Sequence, residues 1–396
     1  MKIYFVPFLI DFILFLVQFR LADASGREMP LSNPQATALL IAFNLTYLAV
    51  CPFVGRALNA RNTKPILLFS IAAILVFGVP LLWTKNFALA LIFLGGLGAA
   101  SALAFNAFQA LMRDQTPVGA LSGTVAKYNV SWALGIGLGF LMSGVLKTLG
   151  QPFWLSALCG VAIFAVWMMI WSETPQSSTR LRSDNAQTPD AASGNVASDG
   201  APHLWGDARY VAIGWSLCLA GNFVQRPLAT FLPKFSAHDG NGAWVAGTLL
   251  CALMWTQAAA AYACYKNPQW FYRARPLVVF QVGVAAVLGA LWLSNSYWFS
   301  LSMMMALGLL HGFAFFSAVF YCSNSFHSAR NVGINEMAVG VGNLGGMIIC
   351  NMAISRLGDL AFYPATMAFC ALLLGVQLWW LRASRQKYAK AVAASA

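Results

Sequence analysis

Residues Ser172 to Trp205 read SETPQSSTRLRSDNAQTPDAASGNVASDGAPHLW. The run is rich in Ser, Asp, Asn, Pro, Ala and Gly, with almost nothing to bury. Such a composition cannot offset the entropy of ordering, so residues 172–206 are expected to be a mobile linker. The chain on either side is the opposite: closely spaced apolar segments, of similar total length before and after. The sequence therefore divides into residues 1–171, the linker, and residues 207–396, the last ending in a basic tail.

Over 396 residues, 59% are hydrophobic and 9% charged, with a mean hydropathy of +0.67. That excludes an ordinary soluble domain and sets the class as an all-α membrane protein. Twelve segments are long enough to span. In the first half they are Ile3–Phe19, Ala36–Val54, Pro65–Trp83, Phe87–Ala110, Val125–Val145 and Pro152–Trp171. In the second they are Tyr210–Leu232, Trp244–Ala263, Leu277–Leu293, Trp298–Tyr321, Val332–Ala353 and Phe362–Leu381. Asp11 and Gln18 interrupt the first apolar run, so it is expected to be a retained helix rather than a cleaved leader.

The net charge of +12 would raise nucleic acid as a partner for a soluble protein. Here it is expected to be the excess of Lys and Arg that cytoplasmic loops carry, and no nucleic acid partner is expected. Placing both termini in the cytoplasm puts most of the 24 basic residues on that side of the inner (plasma) membrane. All 8 Cys fall in or beside apolar segments without paired spacing, so they are expected to pack as small hydrophobes. No phosphate-binding, zinc or nucleophile-elbow motif occurs, so neither a cofactor, a metal nor an enzymatic activity is expected.

The halves echo each other. Ala133-Leu-Gly-Ile-Gly in the fifth span matches Ala338-Val-Gly-Val-Gly in the eleventh. Val17-Gln18 and Arg20 in the first resemble Val224-Gln225-Arg226 in the seventh. Matches at corresponding helices of a chain with six spans on each side point to a parallel repeat of two six-helix bundles.

Between spans two and three lies Gly55-Arg-Ala-Leu-Asn59-Ala-Arg61-Asn-Thr-Lys64-Pro65. With the twelve-span layout, this loop resembles that of the major facilitator superfamily: Gly, three residues, Asp, basic, any, Gly, basic, basic. Gly55 and Lys64 fit, while Asn59, Ala60, Asn62 and Thr63 depart from it. The resemblance implies alternating access around a central site, with the loop (Gly55, Arg56, Asn59, Arg61, Lys64) acting in gating. In the family the loop Asp faces the N-terminus of the eleventh helix; Asn59, a dipole, would be a weaker partner. Gly135, Gly139 and Gly144 keep part of a drug-antiporter signature, but Phe140 replaces its Pro. The fourth-span Arg of such antiporters is also missing, with Asn106 and Gln109 present instead.

Charges inside a bilayer cost at least ~2.5–3.5 kcal/mol each, so each one in a span asks for a reason. Asp11 and His311 fall mid-span in the first and tenth helices, both of which line the cavity in this superfamily. They are read as a proton-coupling pair. Arg226, toward the outer side of span seven, offers a planar fork of donors to an anionic or hydroxylated group, or snorkels to outer headgroups. Glu336, read as about one turn inside span eleven, is expected to favour that helix's positive end, meet Arg56 or Arg61, and act in gating. Gln18, Trp132, Asn222, Trp255 and Gln257, with Arg226, are candidate substrate contacts. The reading is a secondary transporter of a small polar organic solute, by proton symport first, then export of amphipathic compounds, then uncoupled facilitation. A non-transporting receptor is a further alternative, and a monomer is expected.

Overall fold

The computed structural model describes residues 2–24, 33–59, 61–116, 120–146, 152–172, 208–238, 243–293, 296–325 and 328–395. The expected linker, apart from Ser172, lies outside the described residues. Twelve α-helices occur among them: α1 (Phe5–Ala24), α2 (Asn33–Ala57), α3 (Thr63–Leu81), α4 (Phe87–Asp114), α5 (Leu121–Leu146) and α6 (Pro152–Ser172). They continue as α7 (Ala208–His238), α8 (Ala243–Lys266), α9 (Ala274–Leu293), α10 (Tyr297–Ser323), α11 (Ser328–Leu357) and α12 (Phe362–Ser395).

Eight of these are long and apolar enough to cross a membrane: α3, α4, α5, α8, α9, α10, α11 and α12. Helices α1, α2 and α6 carry shorter apolar runs, Phe5–Val17, Ile41–Val54 and Ser156–Trp171. Helix α7 holds Asn222, Gln225 and Arg226 and has Pro227 and Pro233 inside it, which lowers its hydropathy. Several helices outrun the apolar spans read from sequence. At 34 residues, α12 is about 51 Å long, well beyond a hydrocarbon core of ~30 Å. Hydropathy marks where a helix leaves lipid, whereas the backbone bonds continue into water.

The helices pair by a rule. Helix α1 packs on α5 and α6, α3 on α4 and α6, and α2 on α4. Each pairing recurs six helices later: α7 on α11 and α12, α9 on α10 and α12, α8 on α10. Between the sets, α5 packs on α8, and α2 on α11.

The closest approaches repeat too. A Cβ on Gly98 of α4 would lie 2.2 Å from the Phe43 carbonyl oxygen and 2.4 Å from Thr46 Oγ1 of α2. A Cβ on Gly308 of α10 would lie 2.1 Å from both the Leu253 carbonyl oxygen and Thr256 Oγ1 of α8. Only a residue without a side chain permits these approaches, and small residues at such crossings are what lets helices pack in lipid. On the other pairing, Gly135 and Gly139 of α5 face the Phe8 and Phe12 carbonyls, as Gly342 and Gly346 of α11 face those of Leu219 and Phe223. The packing thus equates Gly135 with Gly342, two residues off the Gly135–Gly340 match that the motif implies. It equates Asp11 with Asn222 and Phe15 with Arg226.

Large apolar side chains such as Phe69, Phe164 and Leu372 are more than 60% exposed, facing outward as lipid-contacting residues do. The eight Cys are free and buried.

Candidate functional site

A cavity of about 140 Å³ lies among α1, α2, α4, α5, α7, α8, α10 and α11. That is room for roughly ten waters, or one small organic molecule. Among the described residues, α3, α6, α9 and α12 contribute nothing to its lining. Eight of its 22 lining residues are aromatic. Trp132 meets Phe315 edge-on at 5.5 Å, and Phe15 meets Phe140 at 5.1 Å.

Three charged side chains enter this wall: Asp11, Arg226 and Glu336. Asp11 is 4% exposed, and its Oδ2 has no hydrogen-bond partner. Glu336 is engaged at both oxygens. Tyr47 of α2 donates its hydroxyl to Oε2, and Gln109 of α4 donates Nε2 to Oε1 at 2.7 Å. The same Gln109 amide also reaches the Tyr128 hydroxyl of α5 at 3.2 Å. One carboxylate of the second half is therefore tied to two helices of the first. The Arg226 guanidinium carbon stands 5.5 Å from the Phe15 ring centre and 5.7 Å from that of Phe43. Phe15 is one turn along α1 from Asp11, and Phe43 one turn along α2 from Tyr47. Arg226 and the acidic groups therefore occupy successive levels of one chamber, about 6 Å apart by helix rise.

Eight helices around a central chamber, in two sets with matching internal packing, agree with what the chain matches. A model of the Major Facilitator Superfamily fits residues 3–347. The chain belongs to the major facilitator superfamily. No curated protein matches it significantly. As a member it is a multi-pass membrane transporter, and its partners are a small-molecule substrate and membrane lipid.

Of the superfamily site residues expected from sequence, Asp11, Trp132, Asn222, Arg226 and Glu336 line the chamber. Gln257 is buried behind it, accepting at 3.0 Å from Gln225, which does line it. Trp255 is a correction: it is 46% exposed, packs over Gly137 of α5, and takes no part in the lining. His311 is another: it is fully buried between Phe280 and Phe315 at 5.9 Å each, with Nδ1 2.9 Å from the Leu307 carbonyl. It lies one layer behind the chamber wall, so Asp11 shares the cavity with Glu336 instead. The side chain of Gln18 lies outside the described residues.

Glu336 is also deeper than expected. Helix α11 begins at Ser328, so Glu336 lies two turns in, beyond reach of the helix's N-terminal field. Its hydrogen bonds go to Tyr47 and Gln109, while Arg61 is exposed. Gly55 and Arg56 belong to the last turns of α2, and the Arg56 side chain falls outside the described residues. Asn59 turns its side chain onto its own loop, accepting from the Arg61 and Asn62 backbone at 3.0 and 3.1 Å. It acts there as a turn former rather than as a partner of α11. Lys64 donates to the Trp171 carbonyl at 3.1 Å, tying α3 to the end of α6.

Sequence reasoning missed Tyr47, Tyr128, Gln225, Asn335 and Asn343 as lining residues. Asn335 and Asn343 did leave a signal: with Val339 they recur every fourth residue on one face of α11. Trp255 offers a direct check: Trp255→Leu should leave substrate affinity within about twofold, because a side chain facing outward has no chamber contact to lose. Ligand titration of the purified variant would show it.

Proposed function

We propose that the chain is a proton-coupled symporter of a small polar organic solute, working by alternating access. Two six-helix bundles, residues 1–171 and 207–396, rock about the chamber, joined by the linker 172–206, with both termini in the cytoplasm. The observation that supports this most is Asp11: a buried carboxyl, facing the chamber, with one oxygen that no donor satisfies. An uncompensated charge there is costly, and a proton exchanged with water on alternate sides removes it. Arg226, Trp132 and Asn222 contact the solute, and Gln225 carries the contribution expected of Gln257. Glu336, with Tyr47 and Gln109, holds α11 against α2 and α4, a gating contact that has to part as the chamber turns. The loop from Gly55 to Lys64 bounds the same gate.

The aromatic wall favours a second reading, export of amphipathic compounds. A solute library screened by thermal stabilisation first identifies ligands, since a ligand that binds the folded state stabilises it by RT ln(1 + [L]/Kd). Proteoliposome flux then decides. Symport predicts external alkalinisation on adding the ligand. Uptake indifferent to the proton gradient would replace it with facilitation, and extrusion of lipophilic dyes with export.

A further inference from the structure

Between Asp239 and Glu336 the chain has no acidic residue, yet it has Lys266, Arg273, Arg275 and Arg330. The first three bracket the loop from α8 to α9, and all three are exposed. Lys266 closes α8 with its ammonium 5.2 Å from the Tyr265 ring centre and 5.6 Å from that of Tyr262, so two rings hold it in place. Trp255, Ala259, Tyr262, Ala263 and Lys266 are all exposed, and their spacing puts them on one face of α8. Ala259 leaves a notch between the Trp255 and Tyr262 rings, which stand about 10 Å apart by helix rise. The face is therefore apolar along two turns and ends in a fixed cation.

The loop beyond Lys266 folds back along α10. Trp270 lies 6.5 Å from Phe313, ten residues before α10 ends, and Phe271 stacks on Phe316 and Phe320 at 5.4 and 4.7 Å. Tyr272 follows with φ at 55°, a left-handed backbone that a bulky residue adopts only where its surroundings hold it there. Tyr210 donates its hydroxyl to the Tyr272 carbonyl. The Tyr272 N–H donates to the Tyr321 hydroxyl at 3.1 Å, and Asn324 Nδ2 donates to the Tyr272 hydroxyl at 2.8 Å. Trp270 and Arg273, on either side of this packed pair, stay exposed. The corresponding loop of the first half, between α2 and α3, has no aromatic residue, and Lys64 beside it is engaged with the Trp171 carbonyl.

We propose that this face of α8 and the α8–α9 loop hold one anionic phospholipid, its phosphate and headgroup at Lys266, Arg273 and Arg275 and an acyl chain in the notch at Ala259. Three cations with no acid among them complement a headgroup of net negative charge, whereas a zwitterionic headgroup brings a cation of its own. Trp270 and Tyr262 are amphipathic rings of the kind that sit at headgroup level, which places Lys266 there too. Because the loop is already fixed, little freedom is lost when the lipid binds. The site lies outside the chamber and is independent of the direction and coupling of transport.

The test uses the full chain in detergent, with native mass spectrometry following dioleoylphosphatidylglycerol and dioleoylphosphatidylcholine. The first should be retained at least tenfold more tightly, with one tightest copy per chain, since each basic residue near a headgroup favours an anionic lipid severalfold. Lys266→Gln, Arg273→Gln and Arg275→Gln combined should reduce that preference at least tenfold. Arg273→Gln alone should weaken phosphatidylglycerol severalfold, whereas Arg61→Gln, the same charge lost from the first-half loop, should change it less than twofold. Ala259→Phe keeps every charge and fills the notch, so it should also weaken phosphatidylglycerol severalfold. These single variants decide the matter even if the triple variant fails to fold. Equal retention of the two lipids, or unchanged binding in Ala259→Phe, would overturn the proposal. So would equal losses in Arg273→Gln and Arg61→Gln, which would mean diffuse attraction to a basic surface. Release of phosphatidylglycerol by inorganic phosphate at matched ionic strength would overturn it too, by showing an anion site with no use for the chain.

Discussion

Gly98→Ala and Gly308→Ala should each destabilise the folded protein by about 3 kcal/mol or more, the upper range for forcing extra methyls into a packed contact. Each new Cβ would meet a backbone carbonyl of the partner helix at 2.2 or 2.1 Å, with a threonine hydroxyl equally close. Neither neighbour is the tip of a flexible chain. Thr46 already bonds the Ala42 carbonyl at 2.9 Å, and Thr256 the Ala252 carbonyl at 2.8 Å, so neither hydroxyl swings aside without losing a partner. The helices have to separate instead. Thermal unfolding of purified protein reads the effect, with Gly160→Ala and Gly375→Ala as controls. At those two positions a Cβ meets nothing within 4 Å, and alanine's helix propensity should leave stability unchanged or raised by up to about 1 kcal/mol. If all four variants unfold alike, these crossings are not the close contacts described.

Those glycines also show where sequence stops being legible. The membrane class is plain from composition, because only long apolar runs satisfy a bilayer. The alignment of the repeat is not. Matching letters pairs Gly135 with Gly340, but packing selects the glycine that sits over a carbonyl, which makes Gly342 the equivalent. Inward and outward faces are equally hard to read. In a soluble helix the polar face marks the outside, whereas lipid and protein core are both apolar. Nothing in the letters distinguishes Trp132, which lines the chamber, from Trp255, which points away from it. The depth of Glu336 was hidden for another reason. The first turn of α11, Ser328-Ala-Arg-Asn, is polar, so an apolar window starts the helix late and places Glu336 a turn too near its end. Asp11 was legible because a lone acid in an apolar run has few bland explanations.

Glu336→Ala should lower stability by about 2–4 kcal/mol, the next largest effect expected. It removes two hydrogen bonds to a carboxylate, each worth about 1.5–3 kcal/mol, and strands the buried donors of Tyr47 and Gln109. Relief of carboxylate burial offsets part of that loss, which is why the figure stays below the sum. Tyr47→Phe removes one bond and keeps the ring, so it should cost about 1.5 kcal/mol. In Glu336→Ala the hydroxyl no longer has that partner, so adding Tyr47→Phe should cost little more, or even recover stability. The double-mutant cycle should therefore give a coupling of about 1.5 kcal/mol, far above the few tenths seen for independent sites. A coupling near zero would mean that the carboxylate and the phenol do not meet in the folded protein. A strong coupling that disappears once a transported ligand holds the chamber open toward the α2–α11 contact would identify this bond as one that breaks in the transport cycle. Stability alone cannot show that, because a purely structural bond would couple equally with and without ligand.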